Sequence, residues 1–574
     1  MFDCLGISAF GLCAYDPSNP PNIYFSIGEA MAALSITLII PQFLKPIHRF
    51  RLATQSVRLT HVYSIVFLGA ACVLAATILP SISIPRGSIF AYPVFWEFIG
   101  GLLFFVAFVA LAFVILRPAI ARPGAYQRFA QAAADFLAHA NKQDQLDFSR
   151  DLLQNIERLI ETAGFIEYDR DRTAFFDFRY RRQIKNAGYA WSLLQLVAEP
   201  QFCETLVHRR PWDTAALLDR ISKKKLVSRA AKNLVREIGR QAIISPSSMM
   251  AREVGYKGFR EAPLLSQALF ADGFINRHYQ PLSGLEYGDL TNVDTNMIDR
   301  LNYGLRSTLA TVLDAGDYRW DRSLALMSRH YQMAADDVHR QSRADRDNRD
   351  NYQAVIQAVI GIDFGLKHLI NDTVEHLDGL NQKTYDSLYA NTKDRRDFTV
   401  LDYLSEAIVQ VLYSFANDFE GHKDIFWSTA LDIVDAVFGQ FGDQPDQMDP
   451  LQQRVAIKCI DKVKQNMDGY YPALTRVLLS VIGSYSDPAI KNPNSAFSLF
   501  KRAFYAELMR FPELYEKDPE KAGHYLAKDV RYDAENRALV KIYSGGQEES
   551  TDLRTLSIEP VSFGAVRREK PADD

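Results

Sequence analysis

The chain has 574 residues, with 65 Lys and Arg against 69 Asp and Glu, a net charge of −4. That length implies several domains, and the slightly acidic balance excludes a globally basic nucleic-acid binder while leaving room for a local basic patch. Five cysteines show no CxxC or Cys/His spacing, so no zinc site is expected.

No Lys or Arg precedes Lys45. Three apolar runs, at about residues 23–44, 62–80 and 94–116, are each near the ~20 residues a helix needs to cross a ~30 Å hydrocarbon core. A helix is the expected form because it satisfies its own backbone there. The loop between the first two runs carries Lys45, His48, Arg49, Arg51, Arg58 and His61, the next loop only Arg86, and the stretch after the third Arg117 and Arg122. Positive residues stay inside, so residues 1–22 are expected outside the membrane and everything after residue 117 in the cytoplasm. Tyr24, Tyr63, Tyr92 and Trp96 lie near run ends, where amphipathic rings collect. A cleaved signal peptide fits poorly, since Asp3 and Asp16 are the only charges before the first run. Cys4 and Cys13, also ahead of it, stand open as a disulfide pair or as two free thiols.

Glu29 and Glu97 fall near the outer ends of their helices. They either line an oligomeric pore as a cation-favouring ring or simply reach the headgroups. Gly28 with Ala32, and Gly100 or Gly101 with later alanines, allow close helix contact. Three spans cannot enclose a pore within one subunit, so a channel would require a homo-oligomer, with a tetramer as one arrangement.

The fold class expected from the whole chain is mainly α: a three-helix transmembrane bundle at residues 23–117, then an all-helical cytoplasmic region with a small β element near the C-terminus. Residues 1–124 hold seven Lys and Arg and four Asp and Glu, leaving 58 and 65 for the remainder, a net of −7. Three- and four-residue apolar spacing begins with Phe129, Ala132, Ala133, Phe136 and Leu137 and continues through most of residues 118–350 and 351–528, taken as two helical domains. Residues 173–180 (TAFFDFRY) fit a strand or a buried turn, residues 245–258 and 280–289 look like loops, and residues 340–350 (RQSRADRDNRD) a solvated face or loop. Residues 352–389 fit an amphipathic helix. In residues 529–574, alternation over 529–542 around a turn at 533–537 predicts a β-hairpin, residues 553–558 a further strand, and the charged end from residue 566 disorder.

Motifs that carry chemistry are missing. There is no GxxxxGK[ST], HExxH, GxSxG, kinase set or dinucleotide fingerprint. No catalytic residue, metal ligand or cofactor is therefore expected, and the chain is not predicted to be an enzyme. The best constellation is basic. Lys225, Arg229, Lys232, Arg236 and Arg240 recur at steps of four, three, four and four, which puts five cations on one stripe of a helix, with Leu226, Ala230, Leu234, Val235 and Ile238 on another face. Such a stripe suits phosphate groups or anionic lipid headgroups, or is a solvated face paired with acidic helices elsewhere. Just beyond it, residues 245–259 (SPSSMMAREVGYKGF) add hydroxyls, Arg252, Tyr256 and Lys257, the mixture of donors, cations and a ring that a nucleotide wants.

With the three spans, the 225–240 stripe and the 245–259 segment in hand, the architecture resembles the transmembrane effectors of Hailong-type bacterial anti-phage systems. The resemblance implies an oligomeric channel in the bacterial inner membrane, held closed by a cytosolic nucleotide or short DNA oligomer made by a partner nucleotidyltransferase. Release of that ligand would open the channel in abortive infection. It also implies ligand binding by Lys225, Arg229, Lys232, Arg236, Arg240, Arg252, Tyr256 and Lys257, and pore lining by Glu29 and Glu97. The alternatives are a membrane-anchored scaffold or sensor without channel activity, and a membrane enzyme whose site no motif reveals.

Overall fold

Proline decides where many of these helices begin. Its missing N–H is one the first turn cannot use, and its fixed φ already suits the helix. Pro46, Pro93, Pro200, Pro211, Pro450 and Pro519 each open a helix in the computed structural model. The structure describes residues 27–55, 59–78, 93–121, 125–168, 178–255, 264–286, 294–316, 322–344, 349–388, 398–416, 423–439, 448–469, 472–483, 495–543 and 546–554, and the isolated positions 289, 318, 556 and 558. Helices dominate, as expected, and the chain divides into two compact units, residues 1–221 with 226–234 and residues 222–225 with 235–574. Neither division falls at residue 117 or 350.

The first unit opens with α1 (Ile27–Phe43), α2 (Pro46–Thr54), α3 (Leu59–Ile78) and α4 (Pro93–Leu116). The basic loop expected between the first two spans is therefore itself a helix, α2, with Ile47, Phe50 and Thr54 turned inward. Helices α3 and α4 are long and apolar enough to cross a membrane. The described part of α1 has 17 residues, about 26 Å at 1.5 Å per residue. Of the 24 exposed large hydrophobic side chains among the described residues, 17 lie on α1, α3 and α4. A surface of that kind is stable against lipid and costly against water. Where α3 crosses α4, Gly69 meets Gly100: a Cβ on Gly100 would lie 2.7 Å from Val73 Cγ2 and 3.0 Å from the Gly69 carbonyl. Gly101 has open space around it, so of the two glycines only Gly100 serves close packing.

Helices α5 (Tyr126–His139), α6 (Lys142–Tyr168), α7 (Phe178–Leu196), α8 (Pro200–Arg209) and α9 (Pro211–Lys223) follow, and α10 (Arg229–Ile244) runs across the division between units. The aromatic segment at 173–180 becomes helical from Phe178; residues 169–177 lie outside the described residues.

The second unit contains α11 (Met249–Gly255), α12 (Leu264–Ser266), a π-turn (Gln267–Ala271), α13 (Gly273–His278), a 3-10 turn (Pro281–Gly284), α14 (Thr295–Asp314), α15 (Arg322–Ala325), α16 (Met327–Ala344) and α17 (Arg349–Asp378). The expected loops at 245–258 and 280–289 thus carry short helical turns. Then come α18 (Gln382–Ser387), α19 (Val400–Ala416), α20 (Lys423–Phe438), α21 (Pro450–Gly469), α22 (Ala473–Ile482), α23 (Ala496–Leu508), α24 (Phe511–Lys517) and α25 (Pro519–Gly523). Its core is a stack of apolar helices: α19 buries all of its residues but Glu406, Gln410 and Tyr413. The C-terminal sheet is β1 (Val530–Asp533), β2 (Ala538–Ile542) and β3 (Glu548–Asp552), antiparallel in that order, with Val530 opposite Lys541 and Leu539 opposite Thr551. The hairpin is where the alternation placed it, but the third strand precedes residues 553–558. Residues from 559 onward, with the expected disordered end, lie outside the described residues.

A third helical segment, Gln353–Asp378 within α17, is also long and apolar enough to cross a membrane by length and composition. Its packing is that of a core helix. Half of its apolar window is buried, Asn302 of α14 donates to the Gly361 carbonyl at 2.8 Å, and Lys367 pairs with Asp363 at 2.8 Å and Asp432 at 3.0 Å.

Candidate functional site

The five cations of the basic stripe do not share one helix. Helix α9 ends at Lys223, and Lys225 sits in the following turn at φ 53°. The Lys225 and Leu226 amides donate to the Ser222 and Ile221 carbonyls, each at 3.1 Å, which closes the helix end. Lys225 is exposed, and its ammonium lies 4.7 Å from the centre of the Phe274 ring. Helix α10 starts only at Arg229, after Ser228, whose carbonyl accepts from Lys232 N at 3.0 Å. From there the expected inner face holds: Ala230, Leu234, Val235 and Ile238 are buried.

The four remaining cations differ by position. Arg229 is exposed and Lys232 half-buried. Arg236 donates to Gln280 Oε1 at 3.1 Å. Arg240 makes a fork with Asp289 (Nε to Oδ2 2.6 Å, Nη2 to Oδ1 2.5 Å) and reaches Glu237 at 2.9 Å. The Asp289 carboxylate, then Glu237, holds the Arg240 guanidinium still more firmly protonated than usual. The chain is also close here: a Cβ on Gly239 would lie 2.7 Å from Pro281 Cβ, and one on Gly284 would run into the Arg236 carbonyl. The turn at Pro281–Gly284 is therefore seated on α10, and the C-terminal half of the stripe is a packing face.

The hydroxyls of residues 245–248 are also engaged within the chain. Ser248 donates to the Ala242 carbonyl at 2.8 Å and accepts from Ala251 N at 3.2 Å, and Ser245 and Ser247 pair at 3.1 Å. Arg252 is exposed on α11. Tyr256 and Lys257 lie outside the described residues. Of the two acidic residues in the spans, Glu29 is exposed and Glu97 buried. No group of three or more His, Cys, Asp and Glu side chains that could hold a metal occurs among the described residues. Cys72, Cys203 and Cys459 are buried and form no disulfide, and Cys4 and Cys13 lie outside the described residues.

A second constellation, not singled out from the sequence, lies where α4 leaves the apolar bundle. Arg51 of α2 forks onto Asp151 of α6 (Nε to Oδ2 2.8 Å, Nη2 to Oδ1 3.0 Å), and its third nitrogen, Nη1, donates to the Ile115 carbonyl at the end of α4 at 2.9 Å. The Asp151 side chain is wholly buried. It also accepts from Ala119 N at 3.2 Å. Asn155, one turn along α6, donates to the Ala119 carbonyl at 2.6 Å and accepts from Ala121 N at 2.8 Å. Gln55 donates to the Val114 and Arg117 carbonyls at 3.3 and 3.4 Å. Beside them, Phe50 packs against Phe129, Phe136 and Phe148 with ring centres 5.0–5.8 Å apart. Burial, then Arg51, pushes the nearby His48 imidazole below its ordinary range. The only sequence trace of this cluster is a polar pair at i, i+4 on α6, which looks like any solvated face.

Neither a protein-family model nor a curated protein sequence matches the chain. Among solved structures, an engineered protein described as "Crystal Structure of Engineered Protein", from the Northeast Structural Genomics Consortium, is similar at 12% identity over 70% of this chain and 94% of that chain, with a TM-score of 0.18. A likeness at that TM-score carries no argument about fold or function.

Proposed function

We propose that the chain is an oligomeric membrane effector: an ion channel or membrane-disrupting protein gated by a cytosolic nucleotide or short nucleic acid, acting in anti-phage defence by abortive infection. The observation that carries this reading is the outward apolar surface of α1, α3 and α4, joined to cytoplasmic helices through a junction whose buried Ala119 and Ala121 backbone is bonded by Asp151 and Asn155. An anchor alone needs neither three such helices nor a bonded junction. In this reading the N-terminus lies outside the bacterial inner membrane and the helical units inside, in keeping with the Lys and Arg distribution. We assign phosphate binding to Arg229 and Lys232, while Arg236 and Arg240 support the helix.

The test is binding of a fluorescent short DNA oligomer to the full-length protein in mild detergent. Wild type should bind with an affinity that falls as salt rises, and Arg229→Glu with Lys232→Glu should lose that binding, while Arg240→Lys keeps it. No binding by wild type would remove the nucleic-acid reading. A second reading, a membrane-anchored scaffold or sensor, draws support from the pairing of Arg240 with Asp289 and Glu237, which neutralises part of the stripe internally. It expects no ion leak from vesicles carrying the protein, with or without the oligomer.

A further inference from the structure

A linker that transmits nothing is usually solvated and loosely held. Residues 118–121 are neither helix nor strand, yet Ala119 and Ala121 are fully buried. Buried backbone needs partners, and here they come from side chains. Asp151 takes the Ala119 N–H, and Asn155 takes the Ala119 carbonyl and the Ala121 N–H. Arg51 ties the same carboxylate to the last turn of α4 through the Ile115 carbonyl. The Arg51 fork satisfies both Asp151 oxygens, so neither residue can move without breaking several charge-assisted bonds at once. The aromatic stack extends the connection, since Phe148 of α6 meets Phe50 of α2 at 5.0 Å and Phe202 of α8 at 5.9 Å.

We propose that Arg51, Asp151 and Asn155 are positioning residues that clamp the cytosolic end of α4 to α6, so that a displacement of α6 passes into the last apolar helix instead of being absorbed by the linker. The consequence for gating rests on the effector reading; the clamp itself does not. A purely stabilising ion pair would change unfolding. A clamp changes the local freedom of residues 117–121 while the rest of the unit stays as it was.

The experiment uses full-length protein in vesicles of zwitterionic and anionic phospholipid, with Cys4 and Cys13 replaced by Ser and the buried Cys72, Cys203 and Cys459 retained. A spin label is placed at Ile120→Cys in the linker or, as reference, at Trp212→Cys on α9; both positions are exposed. Asp151→Asn and Arg51→Gln are each expected to shorten the rotational correlation time at position 120 severalfold and leave position 212 unchanged. A label at 120 as restricted as in wild type, in both variants, overturns the clamp. If Asp151→Asn loosens both positions, Arg51→Lys decides: it keeps the charge but not the fork, and must loosen 120 alone or the proposal falls. Potassium efflux from the same vesicles separates the two ideas. A loosened label in a protein that never conducts, with or without the DNA oligomer, keeps the clamp and removes the channel.

Discussion

Helix α4 and the Gln353–Asp378 segment of α17 are both long and apolar enough to cross a bilayer, and they use that property in opposite ways. Helix α4 is uncharged from Phe98 to its end, and it exposes Phe98, Leu102, Phe105, Val106, Phe108, Val109, Phe113 and Leu116. Just past its end lies Arg117, whose guanidinium is 3.7 Å from the centre of the Phe113 ring. Among its described residues, helix α17 exposes only Ile360 and Phe364 of its large hydrophobic side chains. Three of its charges have partners: Lys367 with Asp363 and Asp432, and Asp372 with Arg306. Its glycines are filled by a neighbour, since a Cβ on Gly361 would lie 3.0 Å from Ile298 Cγ2. Length and apolar content say only that a helix is able to cross a membrane. Which solvent it meets depends on whether its outer face and its charges are already satisfied by protein.

The sharpest way to break this comparison is to put the same charge on each helix. Phe105→Arg, near the middle of α4, should cost ~3 kcal/mol of membrane insertion and release protein from the membrane fraction on alkaline extraction. Phe364→Arg, at an equally exposed position on α17, should stay within about 0.5 kcal/mol of wild type. If Phe364→Arg also left the membrane, α17 would be a span.

If α17 belongs to a water-soluble core, that core should respond to protons through its neighbour α16. His330 on α16 is fully buried, its Nδ1 lacks a hydrogen-bond partner, and burial, then Arg329, lowers its pKa to about 4. The unfolded chain takes up that proton near pH 6.5, and the folded chain only near 4. Stability from this group is therefore complete above pH 6.5 and declines between 6.5 and 4, by up to about 3 kcal/mol. Denaturant midpoints across that range measure it, and His330→Phe should flatten the slope. An unchanged slope in the variant would place the proton uptake elsewhere.

Close packing gives a smaller contrast within α4 itself. Gly100→Ala should destabilise the α3–α4 crossing by about 1–3 kcal/mol, whereas Gly101→Ala, with open space around it, should be neutral or favourable by up to ~1 kcal/mol. Thermal melts of the detergent-solubilised protein, run side by side, would show both. The least effect is expected from Arg306→Met on α14, whose guanidinium pairs with Asp372 on the outer side of α17. Its ion pair with Asp372 is half exposed, so its loss should cost under about 1 kcal/mol in the same melts. A large loss there would mean that this face of α17 is covered by something else.

The apolar runs were legible because nothing competes with an uncharged stretch of twenty residues, and the C-terminal hairpin because period-two alternation flanks a turn. The basic stripe was legible only in part. Three consecutive lysines at 223–225 are good helix formers, so the spacing ran on through a break that Ser228, a residue favoured at helix starts, could have flagged. The partners that remove Arg240 and Arg236 from the ligand surface, Asp289 and Gln280, lie 49 and 44 residues away. No local pattern reports a contact at that separation. The same holds for the junction: Arg51 reads in the sequence as one more charge of the first loop, and its partner Asp151 lies 100 residues away.

The ion pair at that junction spans 100 residues of chain. A ribosome adding roughly 5–20 residues per second would deliver Arg51 some 5–20 s ahead of its carboxylate. The apolar helices are therefore complete before the carboxylate that meets Arg51 at the end of α4 has been made. Until residue 155 emerges, the Ala119 and Ala121 backbone groups lack the Asp151 and Asn155 side chains that bond them. A chain interrupted in that interval would carry the apolar helices without this ion pair, so the order of synthesis sets when the end of α4 can first be joined to α6.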